Sequence, residues 1–114
     1  MWLYTIISTL IEQTYIMKQR YEEARSGKAY DFKNEVMPFA YHIDDLLNQL
    51  DGYAENIIAL SYMNQLKYQI LKENLERLSV ECHYASASRK LFMDKLKSVN
   101  YDLNYLKESE TQYG

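Results

Sequence analysis

The sequence predicts an all-α protein, an up-down-up-down antiparallel four-helix bundle. Three observations carry that expectation. The 114 residues include only three glycines and one proline, too few to punctuate a β-rich fold with many tight turns. Apolar residues recur at alternating intervals of three and four along four stretches, the spacing of a helix with one buried face. The intervals between those stretches are short, which forces neighbouring helices to run antiparallel. The competing architecture is a helical hairpin pair that completes its core by dimerising.

The first helix is expected from about Trp2 to Arg25, with Leu3, Ile7, Leu10, Thr14, Met17, Tyr21 and Ala24 as its seam. Its uncharged start, Met1 to Ile11, does not read as a signal peptide or a membrane span. No Lys or Arg precedes it, no small-residue cleavage site follows, and Glu12 and Gln13 interrupt it. Ser26 and Gly27 end the helix, because glycine most readily takes the left-handed conformation of a C-cap.

The second helix is expected from about Phe32 to Ile58, capped by Asp31, with Val36, Phe39, Ile43, Leu46, Leu50, Tyr53 and Ile57 facing inward. Pro38 lacks an amide hydrogen and clashes with the preceding turn, so a kink near Asn34 to Met37, or a short separate turn, is expected before it. Gly52 costs roughly 1 kcal/mol against alanine in a helix interior. The seam nevertheless continues in phase to Ile57, which favours one helix.

The third helix is expected from about Gln65 to Tyr84, capped by Asn64, with Tyr68, Leu71, Leu75, Leu78, Cys82 and Ala85 in its seam. The fourth runs from about Ser88 to Glu108, with Ser86 or Ser88 as its cap and Phe92, Leu96, Val99, Leu103 and Leu106 turned inward. The polar residues Glu108 to Gln112 are expected to fray. Residues 1–114 read as one domain.

Composition narrows the function classes. Hydrophobic residues at 47% and charged residues at 25% make a globular balance rather than a disordered one. Thirteen Lys and Arg against sixteen Asp and Glu give a net charge of −3 with no basic stripe, which argues against nucleic acid as a partner. A single cysteine, Cys82, forms no internal disulfide and points to a reducing, cytoplasmic setting. Twelve tyrosines against three phenylalanines and one tryptophan fit either a partner surface or the codon usage of an AT-rich genome.

Chemistry-bearing motifs are sparse. A di-iron bundle needs Glu-x-x-His pairs on facing helices, and the chain has none; the nearest approach, His42 with Asp45, offers two ligands at most, with His42 beside the seam. No metal and no cofactor is expected. Cys82 holds a seam position, where free cysteine behaves as a small hydrophobe, and adjacency to His83 alone does not make a nucleophile and base. Arg77 and His83 resemble the Arg-x(4–6)-His element of the HEPN ribonucleases, small helical bundles in which the arginine and histidine contact RNA and activate it for cleavage. Leu78 stands where that family favours a polar residue, and the net charge argues against RNA.

A second resemblance covers residues 30–108. Tyr30-Asp31-Phe32, then Val36, Pro38 and Asp44-Asp45-Leu46, resembles the start of helix two in the YppE-like family, small proteins of Bacillus, Listeria and Staphylococcus relatives. Tyr62, Leu71-Lys72-Glu73-Asn74, Cys82-His83-Tyr84, Arg89-Lys90 and Phe92 with Asp94 are similar to that family's third and fourth helices. Leu50 departs from the tryptophan often found there. The resemblance implies a cytoplasmic four-helix bundle with no assigned activity.

These observations together predict a non-enzymatic protein-interaction module. A bundle brings the first and third loops to one end, gathering Tyr30, Asp31, His83, Tyr84, Arg89 and Lys90 as a possible partner surface. Capping of the core end by Tyr30 and Tyr84 is the alternative. Tyr41, Tyr101 and Tyr105 are expected on outer faces. The partner is another protein or a second copy, with no membrane involved.

Overall fold

The first seam folds as its spacing requires. The computed structural model describes the backbone of residues 2–113 and the side chains of residues 2–109; among them the chain is all-α, with no strand. Helix α1 (Leu3–Arg25) buries all seven expected seam residues and also Ile6 and Ile11, a wider stripe than a two-helix seam needs. It ends in a Schellman motif. Gly27, at φ +111°, donates its N–H to Ala24 O (3.1 Å) while Lys28 N–H reaches Glu23 O (3.0 Å).

The single helix expected over 32–58 is instead three pieces. A π-helical turn, Phe32–Val36, precedes α2 (Met37–Asp51), and α3 (Ala54–Ile58) follows a break. Asp31 caps the turn: its carboxylate accepts from Asn34 N–H (2.7 Å), and its own N–H donates to Glu35 Oε2 (3.0 Å). Met37 N–H bonds to Phe32 O, so Pro38 enters in the first turn of α2, where a missing donor goes unnoticed. The break falls at Gly52. Gly52 N–H bonds to Gln49 O (3.2 Å) and Tyr53 N–H to Leu50 O (2.9 Å), three-residue steps that close the helix. Ile57 remains buried beyond the break, so the inward face survives the interruption.

Helix α4 (Gln65–Glu81) starts at the expected cap, with Asn64 Oδ1 accepting from Lys67 N–H at 2.8 Å. It ends three residues before Tyr84, and Ala85, expected inside, is exposed. The chain leaves the helix so that two loop carbonyls can turn toward α1: Ala87 O accepts from the Tyr21 hydroxyl (2.6 Å) and Ala85 O from Arg25 Nη1 (3.2 Å). Helix α5 (Arg89–Tyr113) begins beside Ser88, whose Oγ accepts from Leu91 N–H (3.4 Å). It continues past Glu108 to Tyr113 rather than fraying there, no helix breaker intervening; Gly114 lies outside the described residues.

The helices share one core, α1 packing on α2 and α5, and α4 on α2 and α5. Tyr21 stacks on Phe92 with ring centroids 4.1 Å apart, and Thr14 Oγ1 lies 2.9 Å from Asn100 Oδ1. Across the other side, Asp51 accepts from the Tyr68 hydroxyl (2.5 Å) and from Lys72 (2.9 Å), while Glu81 pairs with Lys95. Leu75 lies at the middle of α4 and is fully buried. Leu75→Ala is expected to cost about 2–5 kcal/mol in urea unfolding, the range for emptying a core leucine site.

Candidate functional site: a buried histidine beneath the loop end

The turns that end α4 carry His83 inward, to 2% exposure. Arg20 Nη1, from the last third of α1, lies 2.7 Å from His83 Nε2. A guanidinium only donates, so Nε2 must present a lone pair. The ring is therefore neutral with its hydrogen on Nδ1, which faces Val80 O and Cys82 Sγ, each at 3.4 Å. Two aromatic rings meet the imidazole edge-on, Tyr30 from the 26–31 loop at 4.9 Å and Phe39 from α2 at 5.5 Å. The Arg20 guanidinium also lies 4.6 Å from the Phe39 ring centroid and 5.6 Å from that of Tyr30. Tyr30 is tied down in turn, its hydroxyl donating to Glu23 Oε2 (2.7 Å) under Lys28, whose ammonium sits 4.4 Å from the ring.

Electrostatics follow from this burial. Desolvation, then the Arg20 charge, holds the His83 pKa below its usual value. Burial pushes the Cys82 thiol up to about 12, so it is a thiol and no nucleophile at neutral pH. Burial and the bond to Glu23 push the Tyr30 phenol up, and the same bond holds Glu23 down. Hydrogen bonds and ring contacts thus link Arg20, His83, Tyr30 and Glu23.

Of the six expected surface residues, the fold brings Tyr30 and His83 into contact but sets His83 beneath the surface, because the three-residue turns after Glu81 swing its ring under Tyr30 and Phe39. Asp31, Tyr84, Arg89 and Lys90 are exposed. Asp31 is spent on its cap, Arg89 pairs with Glu22 (2.8 Å) and Lys90 with Asp94 (3.0 Å). Arg77 is exposed on α4, and the guanidinium beside His83 is that of Arg20. Arg20 and Glu23 are not singled out by the sequence, and Phe39 is expected there only as a seam residue. Arg20 and His83 lie 63 residues apart, and no local spacing announces such a pair. Phe32, which the sequence marks only as the start of the second helix and as part of the Tyr30-Asp31-Phe32 motif, is 58% exposed beside the Asp31 cap.

The opposite end holds a tyrosine cluster. Tyr62 donates to buried Asp102 (3.0 Å), its N–H reaches the Tyr105 hydroxyl (3.1 Å), and its ring packs on Tyr101 and Tyr105. Tyr41 and Tyr101 are exposed as expected, whereas Tyr105 is half-buried by this contact. Among the described residues, no three His, Cys, Asp or Glu side chains gather as a metal would require, and no helix is long and apolar enough to cross a membrane.

The chain is an all-helical bacterial domain by its family match and its fold. Residues 7–109 match the bacterial domain of unknown function DUF1798, and the chain belongs to that family. A Staphylococcus aureus DUF1798 structure is 42% identical, with a TM-score of 0.90 and 92% of each chain covered. YppE from Bacillus subtilis is 23% identical over 95% of this chain and 94% of its own, with a TM-score of 0.85. A Listeria innocua protein of unknown function is 18% identical over 96% and 91%, with a TM-score of 0.89; these last two show the fold alone. The resemblance carried by residues 30–108 thus identifies the family. No curated protein matches the chain.

Because the folded pKa of His83 lies below that of the unfolded chain, the unfolded state takes up a proton first as pH falls. Stability is full above about pH 6.5 and is expected to fall as pH drops through that value toward the folded pKa. Thermal unfolding of wild type and His83→Gln at pH 7.5 and 5.5 checks this: the wild-type midpoint should drop more than that of the variant.

Proposed function

We propose that this protein is a non-enzymatic interaction module of the cytoplasm, an up-down-up-down antiparallel four-helix bundle whose loop end receives a protein partner. The paired contacts of Tyr21 with Phe92, Thr14 with Asn100, Asp51 with Tyr68 and Glu81 with Lys95 support that topology. The lone reduced cysteine supports the compartment. The observation that carries the interaction reading is the way the loop end is built. Beneath it, buried His83 is bonded to half-buried Arg20 and packed on Tyr30, while Phe32, Tyr84, Arg89 and Lys90 are exposed on the segments around that cluster. Aromatic and Arg side chains on a rigid support are the usual anchors of protein interfaces. A π turn such as Phe32–Val36 recurs at functional sites for the same reason, since it fixes a side chain in an unusual direction.

The ribonuclease reading through Arg77 and His83 is weaker, because His83 has its lone pair taken by Arg20 and its ring covered. Crosslinking pull-down from the native cell tests the choice. Tyr84→Ala and Arg89→Glu should each weaken capture of a reproducible protein partner by on the order of tenfold while far-UV circular dichroism stays unchanged. Full retention of the partner by both variants defeats the loop-end surface. RNA cleavage by the purified protein, lost in both Arg77→Ala and His83→Ala, would install the nuclease instead.

A further inference from the structure

On the side of α4 turned away from the core, a second stripe runs beside the buried seam. Leu66, Ile70, Glu73, Arg77 and Val80 follow at intervals of four, three, four and three, the spacing that keeps one line of a helix against a partner helix; Tyr84 lies in the turn beyond the end of α4. All five residues of the line are exposed, Leu66 to 69% and Ile70 to 44%. Arg77 makes no ion pair among the described residues, and Glu73 meets only the Gln69 amide, at 3.3 Å. Nothing in the fold uses this line.

Its order is self-complementary. Ile70 and Val80 lie equally far from Leu75 along the chain, as do Glu73 and Arg77. When two such helices pack antiparallel about a two-fold axis level with Leu75, each of these four meets its counterpart on the other copy. Ile70 then faces Val80 and Glu73 faces Arg77, each pair occurring twice. A parallel pairing would set Glu73 against Glu73 and Arg77 against Arg77, which like-charge repulsion disfavours.

We propose that α4 docks antiparallel on α4 of a second copy of this chain through this stripe, forming an isologous dimer. The contact is one helix wide and 17 residues long, roughly 26 Å at the α-helical rise, which puts it at the small end of specific interfaces and makes it a reversible association. Glu76 flanks the axis and meets its own copy, which weakens the contact further. The surface is separate from the loop end and stands without that reading.

Sedimentation velocity from micromolar to millimolar protein at low salt tests the proposal. The wild-type mass should rise toward that of a dimer. Glu73→Arg and Arg77→Glu should each weaken self-association by about tenfold or more, since two attractive pairs become two repulsive ones. Mixed together, these two variants should associate with each other, because each Arg then faces a Glu; the double variant, with the charges exchanged, should regain self-association. Both positions are exposed, and circular dichroism checks that helicity is kept. Arg89→Glu should leave the dimer intact, which separates this surface from the loop end. A wild-type chain that stays monomeric to millimolar concentration overturns the proposal, as does a dimer indifferent to the single reversals or a mixture that fails to associate.

Discussion

The neutral imidazole of His83 is the constraint on which the loop end depends. Four segments converge on that ring: α1 through Arg20, the 26–31 loop through Tyr30, α2 through Phe39, and the end of α4 itself. The Arg20 guanidinium is half-buried and makes no ion pair with a carboxylate among the described residues, so the His83 lone pair and two ring faces are what offset its lost hydration. A hydrogen bond to a charged group contributes about 1.5–3 kcal/mol, and leaving such a donor buried and unmet costs more. Protonating the ring would remove the acceptor and set two cations at hydrogen-bond distance. The bond therefore ties together the segments that carry the exposed loop-end side chains and makes their arrangement conditional on one protonation state.

The same device, a polar tip at the edge of the core meeting a partner from another segment, accounts for much of the tyrosine excess. Tyr21, Tyr30, Tyr62 and Tyr68 each donate a hydroxyl, to Ala87 O, Glu23, Asp102 and Asp51. Each ring contributes apolar burial while its hydroxyl stays satisfied. The two aspartates show how the balance of burial and donors decides ionisation. At Asp51 burial raises the pKa, but the bonds from Tyr68 and Lys72 outweigh it and the net shift is downward. At Asp102, more deeply buried with Tyr62 as its hydrogen-bond donor, burial wins and the shift is upward. Neither partner display nor codon usage describes these four positions, because they are ties between segments. Tyr15, Tyr41, Tyr84 and Tyr101 stay exposed and remain open to either account.

The inward faces were legible in the sequence because burial in a helix is periodic. Every seam residue assigned to α1 and α5 is buried, and the caps at Asp31, Asn64 and Ser88 form where their short polar side chains allow. Helix ends were less legible. At Gly52 the apolar period runs on through a broken backbone, since burial of Ile57 needs only that the chain resume on the same side. Past Glu81 the period reached Ala85, while bonds from Tyr21 and Arg25 drew the chain away. The two failures differ in cause: at Gly52 the apolar period is blind to a local change of backbone, whereas past Glu81 the hydrogen bonds to residues distant in sequence carry no local signature. Arg20 with His83 is the extreme instance, and it is why the loop end was located by topology while its internal logic was not.

That logic bears on what the molecule offers to others. Cys82 and His83 are engaged inside: burial holds the Cys82 thiol protonated, and both His83 nitrogens face protein atoms. Other side chains lie outside, Phe32 on its capped π turn and the Leu66 to Val80 line of α4 with Glu73 and Arg77 in it. An exposed apolar side chain on a mobile loop would lose conformational entropy on binding. On a turn fixed by Asp31, or along a 17-residue helix anchored by its buried seam, most of that ordering is complete before a partner arrives. The internal bonds and the exposed apolar side chains thus share the same elements, since those bonds order the backbone from which Phe32, Leu66 and Ile70 project.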